Sequence, residues 1–193
     1  LAITGSAGKT SLKNLIFDLL QNYGETFRSP KSYNNHYGVP LSLSNLSLKH
    51  KYGVLEVGMS KAGEINTLSK MIRPHIGVIT NIGEAHIENF VNLNGIARAK
   101  SELIDNIYPE GTLILNRDDK YFNFLKKKAR FKNLKVVSYG INKKSDIYPL
   151  SIVENNKNKK LKVKINNQIF YFKFNNINIY NILSSLAVLK ELN

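Results

Sequence analysis

Gly5-Ser6-Ala7-Gly8-Lys9-Thr10-Ser11 sets two glycines, a lysine and three hydroxyl side chains in seven consecutive positions. A run of this kind can cradle phosphates. Glycines let backbone N–H groups come close, Lys9 adds a point charge, and the Thr10 hydroxyl can sit on Mg²⁺. The apolar Leu1-Ala2-Ile3 before it reads as a short strand, and Ser11–Tyr23 after it reads as a helix. The positive dipole end of that helix would then face the phosphates. Ile3 occupies the place where the wider consensus has another glycine, so the loop alone also fits a Gly-rich turn that caps a helix.

Three other residues are chemically conspicuous. Glu56 sits in the apolar run Val54-Leu55-Glu56-Val57, and a carboxylate buried there must be paired or metal-bound. A salt bridge to a basic residue satisfies that need. Mg²⁺, a hard cation that takes oxygen ligands and phosphates, satisfies it better beside a phosphate loop. His86 follows the run Ile76–Asn81 and is either a ligand to metal or phosphate or an ordinary hydrogen-bonded histidine. Lys100 falls on the apolar stripe of a helix expected over Asn94–Ile107, between Ala97 and Leu103–Ile104. An inward cation can snorkel, pair with an acid, or be carbamylated by CO₂ into an anion that helps hold a metal; the sequence alone favours the ion pair. Asn34 and Asn35 open a polar turn ending at Pro40; their amides suit polar ligands, and turn chemistry explains them equally well.

These residues need a frame. Strands are expected at Leu1–Thr4, Tyr52–Val57, Ile76–Asn81 and Thr112–Asn116, with helices at Ser11–Tyr23, Gly63–Ile72, Asn94–Ile107 and Lys120–Lys128. Alternation of this kind implies an α/β fold, a mostly parallel P-loop-type sheet flanked by helices, with ligands beyond the strands' carboxyl ends. From about Leu134 the texture changes. Lys135–Tyr139, Asp146–Val153, Lys160–Ile165 and Gln168–Phe174 read as a half-exposed antiparallel lobe, and Asn178–Leu192 as a returning helix. The expected organisation is a catalytic core over residues 1–119, a basic strand-rich lobe over 120–175 and the helix over 176–193.

The 193 residues have no cysteine, which excludes disulfides, zinc–thiolate sites and a thiol nucleophile. No apolar run is long enough to span a bilayer. The net charge is +14 and unevenly spread: residues 1–119 carry 12 Lys/Arg against 11 Asp/Glu, and residues 120–193 carry 16 against 3. The surplus therefore lies away from the candidate chemistry and reads as a solvated face rather than a nucleic-acid footprint.

Taken in order, these segments resemble the Mur ligase family, ATP-dependent ligases that build the peptide of bacterial cell-wall precursors. The resemblance rests on Thr4–Thr10, Asn34-Asn35-x-x-Gly38-Val39-Pro40, Leu55–Ser60, Gly63-Glu64-Ile65, Thr80-Asn81-Ile82-Gly83-x-Ala85-His86, Ala97-x-Ala99-Lys100-x-Glu102 and Asn116-Arg117-Asp118-Asp119. Asn178-x-x-Asn181 resembles the family's adenine-contacting segment, although Ile177 stands where a histidine is usual. Ala7 and Ser11 also depart from the family pattern. The segments most resemble the branch that adds D-Ala-D-Ala; other Mur-type ligases, folylpolyglutamate-type ligases and a generic P-loop ATPase are the alternatives.

The resemblance implies that Gly5, Ser6, Ala7, Gly8, Lys9, Thr10 and Ser11 hold ATP, with Asn178 and Asn181 at adenine. Thr10 and Glu56 would ligate Mg²⁺, and His86 a second Mg²⁺ near a carbamylated Lys100. Lys9, Glu56, His86 and Lys100 would be the catalytic set, with Asn34 and Asn35 at the substrate. It further implies UDP-MurNAc-tripeptide and D-Ala-D-Ala as substrates, an acyl-phosphate intermediate, and a cytoplasmic monomer without nucleic-acid partner or membrane insertion. The chain is expected to be the central ATP-binding domain alone, without the N-terminal UDP-binding and C-terminal domains, and inactive by itself as a ligase.

Overall fold

The computed structural model describes residues 1–85, 87–155, 158–165 and 168–192. Short, β-branched apolar runs form β1 (Ala2–Thr4), β3 (Tyr52–Glu56), β4 (Ile76–Ile79), β5 (Thr112–Asn116) and β6 (Lys135–Tyr139), and β2 (Thr26–Arg28) adds one edge. They make a six-stranded sheet in the order β2-β3-β1-β4-β5-β6, with every pair parallel. The connections from β1 lead first to one side of it (β2, β3) and then to the other (β4). The order therefore reverses at β1, where a parallel sheet opens a crevice at its carboxyl end.

Successive strand residues face opposite layers. Ile3, Val78, Ile114 and Val137 join one core with α1 (Lys9–Leu20) and α6 (Ile179–Leu192). Ala2, Ile79, Leu113 and Leu115 join the other core, with α3 (Glu64–Ile72), α4 (Leu93–Lys100) and α5 (Phe122–Phe131). Covering both faces is what lets these strands be apolar throughout. A second sheet, β7 (Pro149–Asn155), β8 (Asn158–Ile165) and β9 (Gln168–Phe174), is antiparallel in the order β7-β8-β9. Leu161, Val163 and Phe174 fasten it to the core shared by α1 and α6.

Three expectations are corrected. Lys135–Tyr139 is not in the antiparallel lobe: it pairs in parallel with β5, from Thr112↔Lys135 to Asn116↔Tyr139. In sequence it reads with the short runs that follow it, but Val137 to Tyr139 are buried as the central strands are. The helix expected over Asn94–Ile107 ends at Lys100 and continues as a 3₁₀ turn over Ser101–Asn106. The turn at Asn34–Pro40 runs straight into α2 (Gly38–Ser44), whose first turn accommodates Pro40. No helix among the described residues is long and apolar enough to cross a membrane.

Leu161 is 1% exposed in the shared core, whereas Tyr171 is 73% exposed. Leu161→Ala is expected to destabilise the protein by about 2–5 kcal/mol. Tyr171→Ser should change stability by no more than about 0.5 kcal/mol. Denaturant unfolding measures both; equal effects would mean that the small sheet does not share the core.

Candidate functional site

The conspicuous residues gather at the carboxyl ends of the central strands. Gly5 follows β1, Glu56 is the last residue of β3, Thr80 and Asn81 follow β4, and Asn116 ends β5. The turn from β1 to α1 is held in place from β4. Ser6 N–H donates to the Asn81 carbonyl oxygen at 3.0 Å, Ala7 N–H donates to Asn81 Oδ1 at 3.0 Å, and Thr80 Oγ1 donates to the Ala7 carbonyl at 2.7 Å. Gly8 has φ +82° and Gly5 φ +144°, and a Cβ on Gly5 would lie 1.8 Å from Thr80 Oγ1. Only glycine fits there. No side chain caps the start of α1, which leaves its first N–H groups for an anion. Lys9 folds over this loop and donates to the Gly5 carbonyl at 2.9 Å. Burial pushes its ammonium down, and the Glu56 charge acts in the opposite direction.

Glu56 is 1% exposed. Oε1 accepts from Asn34 Nδ2 at 2.8 Å and Oε2 from Thr10 Oγ1 at 2.8 Å. Lys13 Nζ, itself 1% exposed, lies 3.7 Å from Oε2. A salt bridge, one of the two ways the sequence left open to satisfy this carboxylate, is therefore present, and it comes from Lys13. A carboxylate and a threonine hydroxyl side by side at a phosphate cradle are also a hard-oxygen donor set that fits Mg²⁺. Among the described residues no three His, Cys, Asp or Glu side chains form a metal cage. A cation that draws its remaining ligands from phosphates and water needs none.

The loop separates two clefts. One, of about 420 Å³, is lined by Ala7, Gly8, Asn81, Asp119, Asn178 and Asn181. Asn178 Oδ1 caps α6 by accepting from Tyr180 N–H at 2.8 Å. Asn181 is 7% exposed and so close to Gly8 that a Cβ there would lie 3.1 Å from its Oδ1. Asp119 pins the wall, accepting from Ile82 N–H and Tyr121 N–H, each at 2.7 Å. The other cleft, of about 790 Å³, is lined by Lys9, Asn34, Asn35, Gly58, Lys61 and Glu64. Asn35 does turn work: Oδ1 accepts from Gly38 N–H at 2.9 Å and Tyr37 N–H at 3.2 Å.

A family model described as the Mur ligase middle domain matches residues 3–189. The chain belongs to that family. It is 35% identical, over 97% of its length and 40% of the relative's, to the UDP-N-acetylmuramoyl-tripeptide--D-alanyl-D-alanine ligase of Buchnera aphidicola subsp. Baizongia pistaciae. Among solved structures, MurF from Acinetobacter baumannii superposes with a TM-score of 0.92 at 29% identity, covering 99% of this chain and 42% of that one. MurF ligase from Thermotoga maritima, solved in complex with ADP, gives a TM-score of 0.87 at 27% identity, covering 99% and 44%. The chain thus spans about two fifths of the length of the relatives it matches.

Within this Mur ligase middle domain, Lys9, Thr10, Glu56 and Asn34 come together, and Asn178 and Asn181 line one cleft with the loop. Ser11 lies in the first turn of α1. His86 lies outside the described residues. Lys100 does face inward, at 2% exposure, and no carboxylate among the described residues pairs with it. Burial, then the nearby Lys9 charge, pushes its amine down to about 7. The ion pair that the sequence favoured for Lys100 is thus absent among the described residues, and Glu56 is paired with Lys13. Sequence reasoning missed Lys13, whose signal was a cation beside Leu12 and Ile16 on the buried stripe of α1. It also gave no role to Asp118, Asp119, Tyr139 and Tyr180, which line the smaller cleft.

The Lys100 shift has a measurable sign. The folded chain sheds this proton near pH 7, while the unfolded chain keeps it until about 10.5, so wild-type stability gains across that interval. Lys100→Met should therefore be the more stable protein, by a margin widest below pH 7 and closing as the pH rises. Thermal unfolding in CO₂-free buffer from about pH 6 to about pH 10 checks this. A margin that does not narrow would show that the buried amine is not the cause.

Proposed function

We propose that this chain is the nucleotide-binding part of an ATP-dependent ligase that adds D-Ala-D-Ala to UDP-MurNAc-tripeptide, a step of peptidoglycan precursor synthesis. The observation that carries the proposal is the phosphate loop standing as a common wall between two clefts, Ala7 and Gly8 lining one and Lys9 the other. A nucleotide seated in the smaller cleft, near Asn178 and Asn181, would run its phosphates along Gly5–Ser11 toward Lys9. The larger cleft, with Asn34 and Asn35, would present the terminal carboxylate of the peptide to the same point. Phosphoryl transfer to a carboxylate demands that the attacking and leaving oxygens meet in line at phosphorus, and two clefts meeting at one loop bring both substrates to that point.

A carboxylate and an amine do not condense unaided. Transfer of the γ-phosphoryl group from ATP to the carboxylate breaks the β–γ phosphoanhydride bond, releases ADP and gives an acyl phosphate. The amine of D-Ala-D-Ala attacks its carbonyl carbon, phosphate leaves, and an amide forms. The residues' task is positioning and neutralising charge, and no nucleophilic side chain is needed. In this reading Lys9 draws negative charge off the moving phosphoryl group. Thr10 and Glu56 would hold Mg²⁺, which when bound supplies Lewis-acid neutralisation of the phosphate oxygens. His86 is assigned to a second Mg²⁺ on the family resemblance alone.

Lys100 is assigned as a carbamate. Its buried amine, with a pKa of about 7, is partly uncharged at neutral pH, and only a neutral amine adds to CO₂. The product replaces a cation that repels Lys9 with an anion that attracts it. A plain P-loop ATPase would use the loop and Glu56 and would have no place for this inward lysine. The same reading puts the protein in the cytoplasm as a monomer, serving wall growth and hence cell shape and division.

Lys9→Ala in the intact protein should lower the ligation rate by about 10²-fold or more, with retained folding by circular dichroism. Near-wild-type amide formation would refute the proposal. With ¹³C-bicarbonate, wild-type protein should show a carbamate carbon resonance that Lys100→Arg lacks; identical spectra would remove the carbamate.

A further inference from the structure

Lys13 is among the largest wholly buried side chains of the molecule, and no step above uses it. It lies one turn beyond Lys9 on α1. Its ammonium makes two contacts: the Glu56 carboxylate, 3.7 Å from Oε2, and the Lys31 carbonyl oxygen, to which it donates. As a stability device this is weak, because an apolar pair of similar volume often serves a core as well as a buried ion pair does. The arrangement around the carboxylate is more informative. Both Glu56 oxygens already receive neutral donors, Asn34 on one and Thr10 on the other, and Lys13 adds a full positive charge to the oxygen that Thr10 faces. A divalent cation arriving alone would meet a neutralised carboxylate and a fixed ammonium that repels it. One arriving with nucleotide phosphates brings negative charge of its own, and the repulsion is offset.

We propose that Lys13 is a positioning residue that keeps Glu56 neutralised and aimed before nucleotide binds, so that Glu56 takes a divalent cation together with nucleotide and not by itself. The contact with Lys31 extends the effect, since Lys31 lies three residues before Asn34, whose amide holds the other carboxylate oxygen. One ammonium thus ties the metal-facing carboxylate to the segment that enters the larger cleft. The inference rests on the reading of Glu56 as a metal ligand.

The test uses Mn²⁺, a paramagnetic stand-in for Mg²⁺, titrated into the intact protein with and without ADP and followed by electron paramagnetic resonance. Lys13→Met should tighten nucleotide-free Mn²⁺ binding by on the order of tenfold, with a much smaller change when ADP is present. Lys13→Arg, which keeps the charge, should behave like wild type. Unchanged nucleotide-free affinity in Lys13→Met overturns the proposal, as does a Lys13→Arg protein that matches Lys13→Met. Should Lys13→Met fail to fold by circular dichroism, Lys13→Gln, which keeps a donor and loses the charge, makes the same comparison. Glu56→Gln separates the two readings: it should weaken Mn²⁺ binding in the presence of ADP. No change there would remove Glu56 from the metal site, and the proposal with it.

Discussion

A carboxylate in the interior has to be neutralised, and the centre of this molecule is arranged around that requirement. Glu56 ends β3 with 1% of its surface exposed. Ionised and alone it would cost several kcal/mol, which no single neutral hydrogen bond repays. Two segments converge on it, the start of α1 and the stretch that follows β2. The start of α1 brings Thr10 and Lys13, the segment after β2 brings Asn34, and Ser29 Oγ accepts the Glu56 backbone N–H at 3.2 Å. Lys13 holds the Lys31 carbonyl at the same time. The loop between β2 and α2 is thereby drawn under the sheet's carboxyl end, and with it the floor of the larger cleft.

The charge that results is not balanced. Among the described residues the only fully buried ionic side chains are Lys13, Glu56 and Lys100, and Lys9 is partly buried beside them. With Lys100 unmodified, three amines face one carboxylate in a setting where Coulomb energies exceed those in water. Lys100 answers with a pKa lowered to about 7, and the Lys9 ammonium is pushed down as well. An interior that disfavours its own positive charge is one that an entering anion relieves. The uncapped N-terminus of α1 adds its partial positive charge at the same place. Loop, helix and lysines thus favour the same thing, negative charge brought into the crevice.

Much of this was legible in the sequence, for physical reasons that differ from residue to residue. Buried parallel strands and amphipathic helices announce themselves by period, so the α/β frame and the convergence at its carboxyl edge could be anticipated. Glu56 was legible because an acid in an apolar strand violates a strong rule, and Lys100 because a cation in an apolar stripe does the same. Lys13 violated that rule too, but a single lysine near a helix's start, next to polar Asn14 and Ser11, resembles a solvent-facing position. The choice of partner was not legible. The sequence requires a positive partner for Glu56, a basic residue or a metal ion, and nothing in it singles out Lys13, which reaches the carboxylate because α1 lies against β3. The break after Lys100 was hidden as well, because Ser101–Asn106 keeps the apolar spacing while its backbone tightens into a 3₁₀ turn. Lys135–Tyr139 misled because so short a run cannot tell a parallel edge from an antiparallel lobe.

The same distinction settles what the large basic surplus means for the site. On β8, Lys160 and Lys164 stand out to solvent, while Leu161 and Val163, at 1% and 0% exposure, turn inward. Lys162 lies 5.5 Å from the Tyr171 ring centre on the neighbouring strand. These charges remain solvated, cost the fold little, and are screened beyond roughly 8–10 Å in physiological salt. Neither cleft beside the loop is lined by any of them. The decisive quantity is desolvation rather than charge count: Lys9 and Lys13, drawn in beside Glu56, feel a neighbouring charge far more strongly than lysines on a solvated face do.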